Sequence, residues 1–108
     1  MKQPFSFDTF LKILEHDDQF NIDETAFYFD DDPYENEHML GCLREYEKPY
    51  WIGYCDVPDG CEFDNANDLL NAKVFDGKSI KDRWEHIIFE TIGGIGLDDW
   101  LENYHDFI

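Results

Sequence analysis

The apolar residues Phe7, Phe10, Leu11 and Leu14 recur at i, i+3, i+4 and i+7, the spacing of a helix that buries one side. This predicts a first helix from Ser6 to about His16, with Ser6 as its N-cap and Asp8 near the positive end of the helix dipole. Thr25 to Phe29 is a short aromatic run closed by Asp30, Asp31, Asp32 and Pro33, and it reads as a strand. His38 to Tyr46 and Tyr50 to Val57 are β-prone runs either side of Glu47-Lys48-Pro49, the pattern of an antiparallel hairpin. Pro58-Asp59-Gly60 marks a turn.

Beyond that turn, Asp64 or Asn65 can cap a short helix through Leu69 and Leu70, and Asp76-Gly77 is a second turn signal. Ser79 is expected to begin a helix that carries Ile80, Arg83 and Trp84, with Asp82 in its first turn. Ile87 to Ile92 follows as a strand, Gly93, Gly94 and Gly96 as a turn, and Leu97 to Tyr104 as a closing helix. Leu97, Trp100, Leu101 and Tyr104 share the apolar side of that last helix. The order predicts an α+β fold, a small and mostly antiparallel sheet of about four strands around the central hairpin, with helices packed on one side. No repeat, low-complexity segment or linker divides the chain, so residues 1–108 form one domain.

Composition supports a packed core despite the charge, because 43% of the chain is apolar and 18% aromatic. No stretch approaches the roughly 20 apolar residues of a membrane span, and the N-terminal residues lack the apolar run of a signal peptide. With three cysteines, Cys42, Cys55 and Cys61, the expected location is a reducing cytoplasm.

Charge changes the picture most. Against 8 Lys and Arg stand 26 Asp and Glu, a formal charge of −18, so the general surface repels nucleic acid and resists self-association at low salt. Between Ile13 and Leu43 there is no Lys or Arg, while Asp17, Asp18, Asp30, Asp31, Asp32, Glu35 and Glu37 all fall there. Glu85, Glu90, Asp98, Asp99, Glu102 and Asp106 form a second acidic stretch, and Lys73, Lys78, Lys81 and Arg83 a basic island between the two.

Motifs of catalysis are weak by comparison. Pro58-Asp59 with Asp76-Gly77-Lys78 formally fits a metal-dependent nuclease pattern, but both carry turn dipeptides and the surrounding charge would repel the substrate. Asp30, Asp32 and Glu35, or Asp56, Asp59 and Glu62, offer oxygen ligands without the spacing of a calcium loop. Cys55 and Cys61 are six positions apart, too far for a zinc pair, and the four histidines are scattered. Cys42 and Cys55 could face each other across the hairpin as small core residues, while Cys61 is the thiol most expected to be exposed and could pair with a histidine. Gly93-Gly94-Ile95-Gly96 lacks the lysine of a phosphate loop, and Asp98 and Asp99 occupy the helix start where a phosphate would bind. Trp51, Trp84 and Trp100 read as core. No catalytic or metal site assembles and no cofactor is implied.

The expectation is therefore a non-enzymatic cytoplasmic module that binds a basic protein, in the manner of an immunity or antitoxin protein covering a nuclease toxin. A DNA mimic that blocks a DNA-binding protein is the alternative, and an uncharacterised domain with a merely solvated acidic surface is a third. Asp17, Asp18, Asp30, Asp31, Asp32, Glu35 and Glu37 would steer the partner, and Phe29 and Tyr34 would anchor it.

Overall fold

The computed structural model describes residues 5–16, 22–53 and 61–104. The first helix, α1 (Phe7–Glu15), starts where Ser6 Oγ accepts a hydrogen bond from the Thr9 N–H at 3.1 Å. It ends at His16, whose N–H reaches back to the carbonyls of Lys12 and Ile13. Phe10, Ile13 and Leu14 form its buried side, as the apolar spacing requires.

Strands β1 (Thr25–Phe29), β2 (His38–Cys42), β3 (Tyr50–Gly53) and β4 (Glu62–Phe63) follow as a meander, and β5 (Ile87–Phe89) returns beside β1. The sheet runs β4-β3-β2-β1-β5 with every neighbouring pair antiparallel. Helix α2 (Ala66–Asn71) lies between β4 and β5 in sequence, capped by Asn65, whose side chain accepts from the Asp68 N–H at 2.8 Å. A separate two-stranded hairpin, β6 (Thr91–Ile92) and β7 (Ile95–Gly96), leads into α3 (Leu97–Tyr104). The α+β class, the central hairpin and the antiparallel sheet are as expected from sequence, with five main strands in place of four. No helix among the described residues is long and apolar enough to cross a membrane.

Two elements differ from the sequence expectation. Ser79 does form a reciprocal cap with Asp82, each backbone N–H donating to the other's side chain at 3.0 Å. The helix nonetheless does not propagate: a turn leads into a single 3-10 turn, Trp84–His86. Ile87 and Ile88 next in line are β-branched, and β5 pairs them with Phe29 and Tyr28. The predicted strand Ile87–Ile92 is also split at Glu90 into β5 and β6. Thr25 Oγ1 donates to the Ile22 carbonyl at 2.6 Å and accepts from the Gly93 N–H, while Thr91 Oγ1 accepts from the Ala26 N–H. These hydroxyls fasten the β6–β7 hairpin to β1.

Strand alternation sorts the side chains. Phe27, Phe29, Leu40, Tyr50, Ile52, Ile87 and Phe89 point inward and are buried. The helices cover this inner side: the Phe10 and Phe89 ring centroids lie 4.8 Å apart, and the Tyr50 hydroxyl donates to the Leu14 carbonyl at 2.8 Å. Phe5 joins α3 to the same core through Trp100 and Phe89. The opposite positions, Ala26, Tyr28, Met39, Gly41, Trp51, Gly53 and Ile88, point away from the helices.

On that outer side the Trp51 Nε1–H donates to Asp23 Oδ1 at 2.7 Å, passing over Gly41, which is paired with Trp51 in the ladder. A Cβ at residue 41 would lie 2.6 Å from Trp51 Nε1 and closer still to the Asp23 carboxylate. Gly41→Ala should therefore destabilise by about 1–3 kcal/mol, because the Trp51 indole and the Asp23 carboxylate must shift and give up their hydrogen bond. Urea unfolding of Gly41→Ala, Asp23→Ala and the double variant checks this. Removing Asp23 should shrink the cost of the added methyl, whereas simple additivity would show that the hydrogen bond is not what occupies the space.

Candidate docking surfaces

The turn after β1 was expected to be the acidic contact surface, and its aspartates are arranged differently. Asp31 Oδ1 accepts from Arg83 Nη2 at 2.6 Å, and the Arg83 guanidinium lies 3.7 Å over the Phe29 ring. Asp30 Oδ1 is 2.9 Å from His86 Nδ1. Asp32 accepts from the backbone N–H groups of Tyr34 (2.9 Å) and Asn36 (3.0 Å), and these bonds hold its carboxyl below the ordinary aspartate value. Asp30, Asp31 and Asp32 thus fasten the turn to the 83–86 segment and to itself. Phe29 is 1% exposed, so it cannot serve as a surface anchor. The period-2 alternation of β1 turns it inward with Phe27. Tyr34, by contrast, is 82% exposed, and Glu35 and Glu37 are exposed beside it. Asp17 and Asp18 lie outside the described residues.

A cleft of about 250 Å³ opens between this turn and the core, lined by Phe29, Asp32, Asn36, His38, Phe75 and Arg83. Its charges are already matched, since Arg83 is held by Asp31 and the Asp32 oxygens by backbone amides. Donor atoms of Asp30, Asp31 and His86 converge within 4.8 Å of one another. An internal hydrogen bond and the Arg83 ion pair account for that convergence. The oxygen set expected from sequence, Asp30, Asp32 and Glu35, is divided among separate partners. Part of the basic island is engaged as well: Lys73 Nζ meets Asp82 Oδ2 at 2.8 Å, which with the Ser79 N–H lowers the Asp82 pKa to about 2.

The outer side of the sheet has another character. Tyr28, Met39, Trp51 and Ile88 are each half-buried there, and none of the described helices covers them. Among the described residues, the outward strand positions carry no Lys or Arg. Carboxylates surround the patch instead. Trp51 sits between Asp23, which takes its indole N–H, and Glu62, its ladder partner on β4. The Glu90 N–H donates to the Ala26 carbonyl, which sets Glu90 beside β1 one pair beyond β5. Partial burial, a hydrogen bond to Glu37 and the nearby charges of Glu37 and Glu35 raise the Glu90 pKa. Glu90 also enters a second cleft, about 510 Å³ in volume, with Phe89, Leu97, Asp98 and Asp99.

Sequence reasoning missed this surface because it read Trp51 as core and Thr25–Phe29 as one aromatic run without separating its two sides. Alternation within β1, combined with helices on one side only, is the signal that would have separated Tyr28 from its neighbours.

The remaining motifs are structural. Asp76 (φ 54°) and Gly77 (φ 78°) make the tight turn of the Phe75–Lys78 bridge, and Gly93 (φ 62°) and Gly94 (φ 79°) that of the β6–β7 hairpin. Pro58, Asp59 and Asp56 lie outside the described residues. Cys61 is disulfide-bonded, which removes the exposed thiol expected there. Cys42 is a buried thiol opposite Tyr50 in the ladder, not opposite Cys55. No protein-family model, curated protein or solved structure matches the chain.

The Glu37–Glu90 pair has a measurable signature. A carboxyl whose folded pKa is raised contributes stability below its unfolded value, and this is lost as pH rises through the raised value. Glu90→Gln, which keeps a hydrogen bond to Glu37 without the second charge, should raise the urea midpoint at pH 7, within the ~0.5 kcal/mol usual for surface changes. At pH 4 the gain should be smaller, and equal midpoints for variant and wild type at both values would show the pair to be unstrained.

Proposed function

We propose that this chain is a non-catalytic protein-binding module that takes a basic protein partner and covers part of its surface, as an immunity or antitoxin protein covers a nuclease toxin. The observation that carries this reading is a sheet surface of half-buried apolar residues, covered by none of the described helices and bordered by carboxylates. An interface of that type combines aromatic and aliphatic anchors with a charged rim that steers the encounter. The formal charge of −18 adds long-range attraction for a cationic surface and disfavours nucleic acid as the ligand.

Mimicry of DNA is less well supported. A duplex presents about one charge per 1.7 Å in a regular row, whereas Asp30, Asp31 and Asp32 turn to three different partners inside the fold. An enzymatic reading lacks a positive argument: Lys73, Arg83 and His86 are each held by an aspartate, and the Glu35, Glu37 and Glu90 carboxylates come with no nucleophile among the described residues.

The cytoplasm is the location we adopt. The small, odd set of three cysteines favours it, and the disulfide at Cys61 favours an oxidising compartment. Alkylation during lysis, followed by mass spectrometry, separates the two: a cytoplasmic chain should yield Cys61 alkylated, and a blocked Cys61 would overturn the assignment.

Affinity capture from lysate of the source cells, at low salt and then at ~0.5 M, tests the function. Screening at that concentration shortens the Debye length to only a few ångströms. The expected result is one stoichiometric protein of basic isoelectric point, eluted by the salt step. Stoichiometric recovery of an acidic protein, or of none, would defeat the reading.

A further inference from the structure

We infer that the partner docks on the outer side of the five-stranded sheet, which none of the described helices covers, with one of its Lys or Arg side chains received between Glu37 and Glu90, and not on the Asp30–Tyr34 turn. This rests on the proposed binding of a basic protein and specifies where that protein sits.

Three features of the surface support the assignment. The first is its make-up. Tyr28 and Ile88 are ladder partners, Ala26 and Met39 are ladder partners, and Trp51 stands on the next strand. Three inter-strand spacings of about 4.8 Å, from β5 to β3, and about four residues at about 3.4 Å make a patch roughly 15 Å on a side, with the buried Ala26 at its floor. That is the scale of an interface core, which a surrounding rim extends towards the ~800 Å² per partner of a stable complex.

The second is charge. Asp31 faces Arg83, Asp30 faces His86 and Asp82 faces Lys73. On the outer side Glu37, one residue before the inward-facing His38, and Glu90, held beside Ala26 by its backbone N–H, stand as two carboxylates near Glu35, and partial burial and their proximity raise the Glu90 pKa. Two carboxylates held together in this way favour a proton or a cation between them. A partner ammonium or guanidinium would relieve the repulsion and form charge-assisted hydrogen bonds.

The third is that the turn has little left to offer. Its three aspartates hold Arg83, His86 and the backbone of the turn, and Phe29 is buried. Using those aspartates for a partner would break intramolecular contacts with cations and backbone amides, whereas a cation at Glu37 and Glu90 replaces a contact between two like charges.

The proposal predicts opposite signs for stability and affinity in one variant. Glu37→Gln/Glu90→Gln removes two like charges, so the free protein should melt at the same or a higher temperature. The same variant should bind the partner at least about tenfold more weakly, as expected when a buried charge loses its counterpart. Tyr34→Ala, on the turn, should change affinity less than about twofold.

Photo-crosslinking in the source cells locates the surface independently. Tyr28→p-benzoylphenylalanine and Tyr34→p-benzoylphenylalanine are compared, each in the wild-type background and with Glu37→Gln/Glu90→Gln. An adduct from residue 28 with a basic protein, lost in the double-Gln background, supports the proposal. An adduct from residue 34 alone overturns the surface while leaving the binding function in place. An adduct from residue 28 with an acidic protein or with a second copy of the chain overturns the named occupant. No adduct from either position, together with no basic protein in the salt-step capture, overturns both readings. No adduct alongside a captured basic protein overturns the surface only.

Discussion

Strand β1 is hydrogen-bonded along both edges, to β2 through Thr25, Ala26 and Phe27 and to β5 through Phe27, Tyr28 and Phe29. A strand in that position has no free edge and two unequal sides. Phe27 and Phe29 enter the core, where Phe75 and the His38 ring meet them edge-on or tilted at 5.3–6.0 Å between ring centroids. Fixing those two rings inward places Tyr28 and Ala26 outward. The registers of β2 and β5 then carry Met39 and Ile88 to the same side. Because α1, α2 and α3 serve the inner core, none of the described helices covers the outer side.

The acidic excess is managed unevenly around this sheet. Near the turn that follows β1, the few cations are used locally. Arg83 spans Phe29 and Asp31, which combines a cation–π contact with an ion pair. Exposed ion pairs of this kind contribute at most about 1 kcal/mol each. Their chief effect is positional: they hold the 83–86 segment against the end of β1, so that Ile87 enters the sheet in register. On the outer side no comparable neutralisation occurs among the described residues, and the Glu37–Glu90 contact is the result. An arrangement that raises self-repulsion in the free protein is understandable where a bound partner supplies the missing charge.

Much of the fold was legible in local pattern. The α1 stripe, the Ser6 cap, the hairpin around Glu47-Lys48-Pro49 and the two tight turns at Asp76-Gly77 and Gly93-Gly94 all rest on neighbours in sequence. The site was less legible. Asp30, Asp31 and Asp32 looked like one acidic surface because His86 and Arg83, the partners of the first two, are more than fifty residues away in sequence, while Asp32 turns back on its own loop. Phe29 looked like an anchor because an aromatic next to acids has the composition of an interface, although strand parity buries it. The Ser79 helix failed for a related reason, since its cap formed but the residues that should extend it were claimed by β5.

The sequence by itself determined the class of fold, the short-range turns and caps, and a charge that suits a cationic partner. Helix periodicity, turn chemistry and net charge are local or additive properties, so one chain read end to end is enough to establish them. The tertiary structure decided which carboxylates are matched within the fold and which apolar residues face outward. Both depend on strand register and on pairs such as Asp31–Arg83 and Glu37–Glu90, whose members meet only when distant segments are brought together by the sheet.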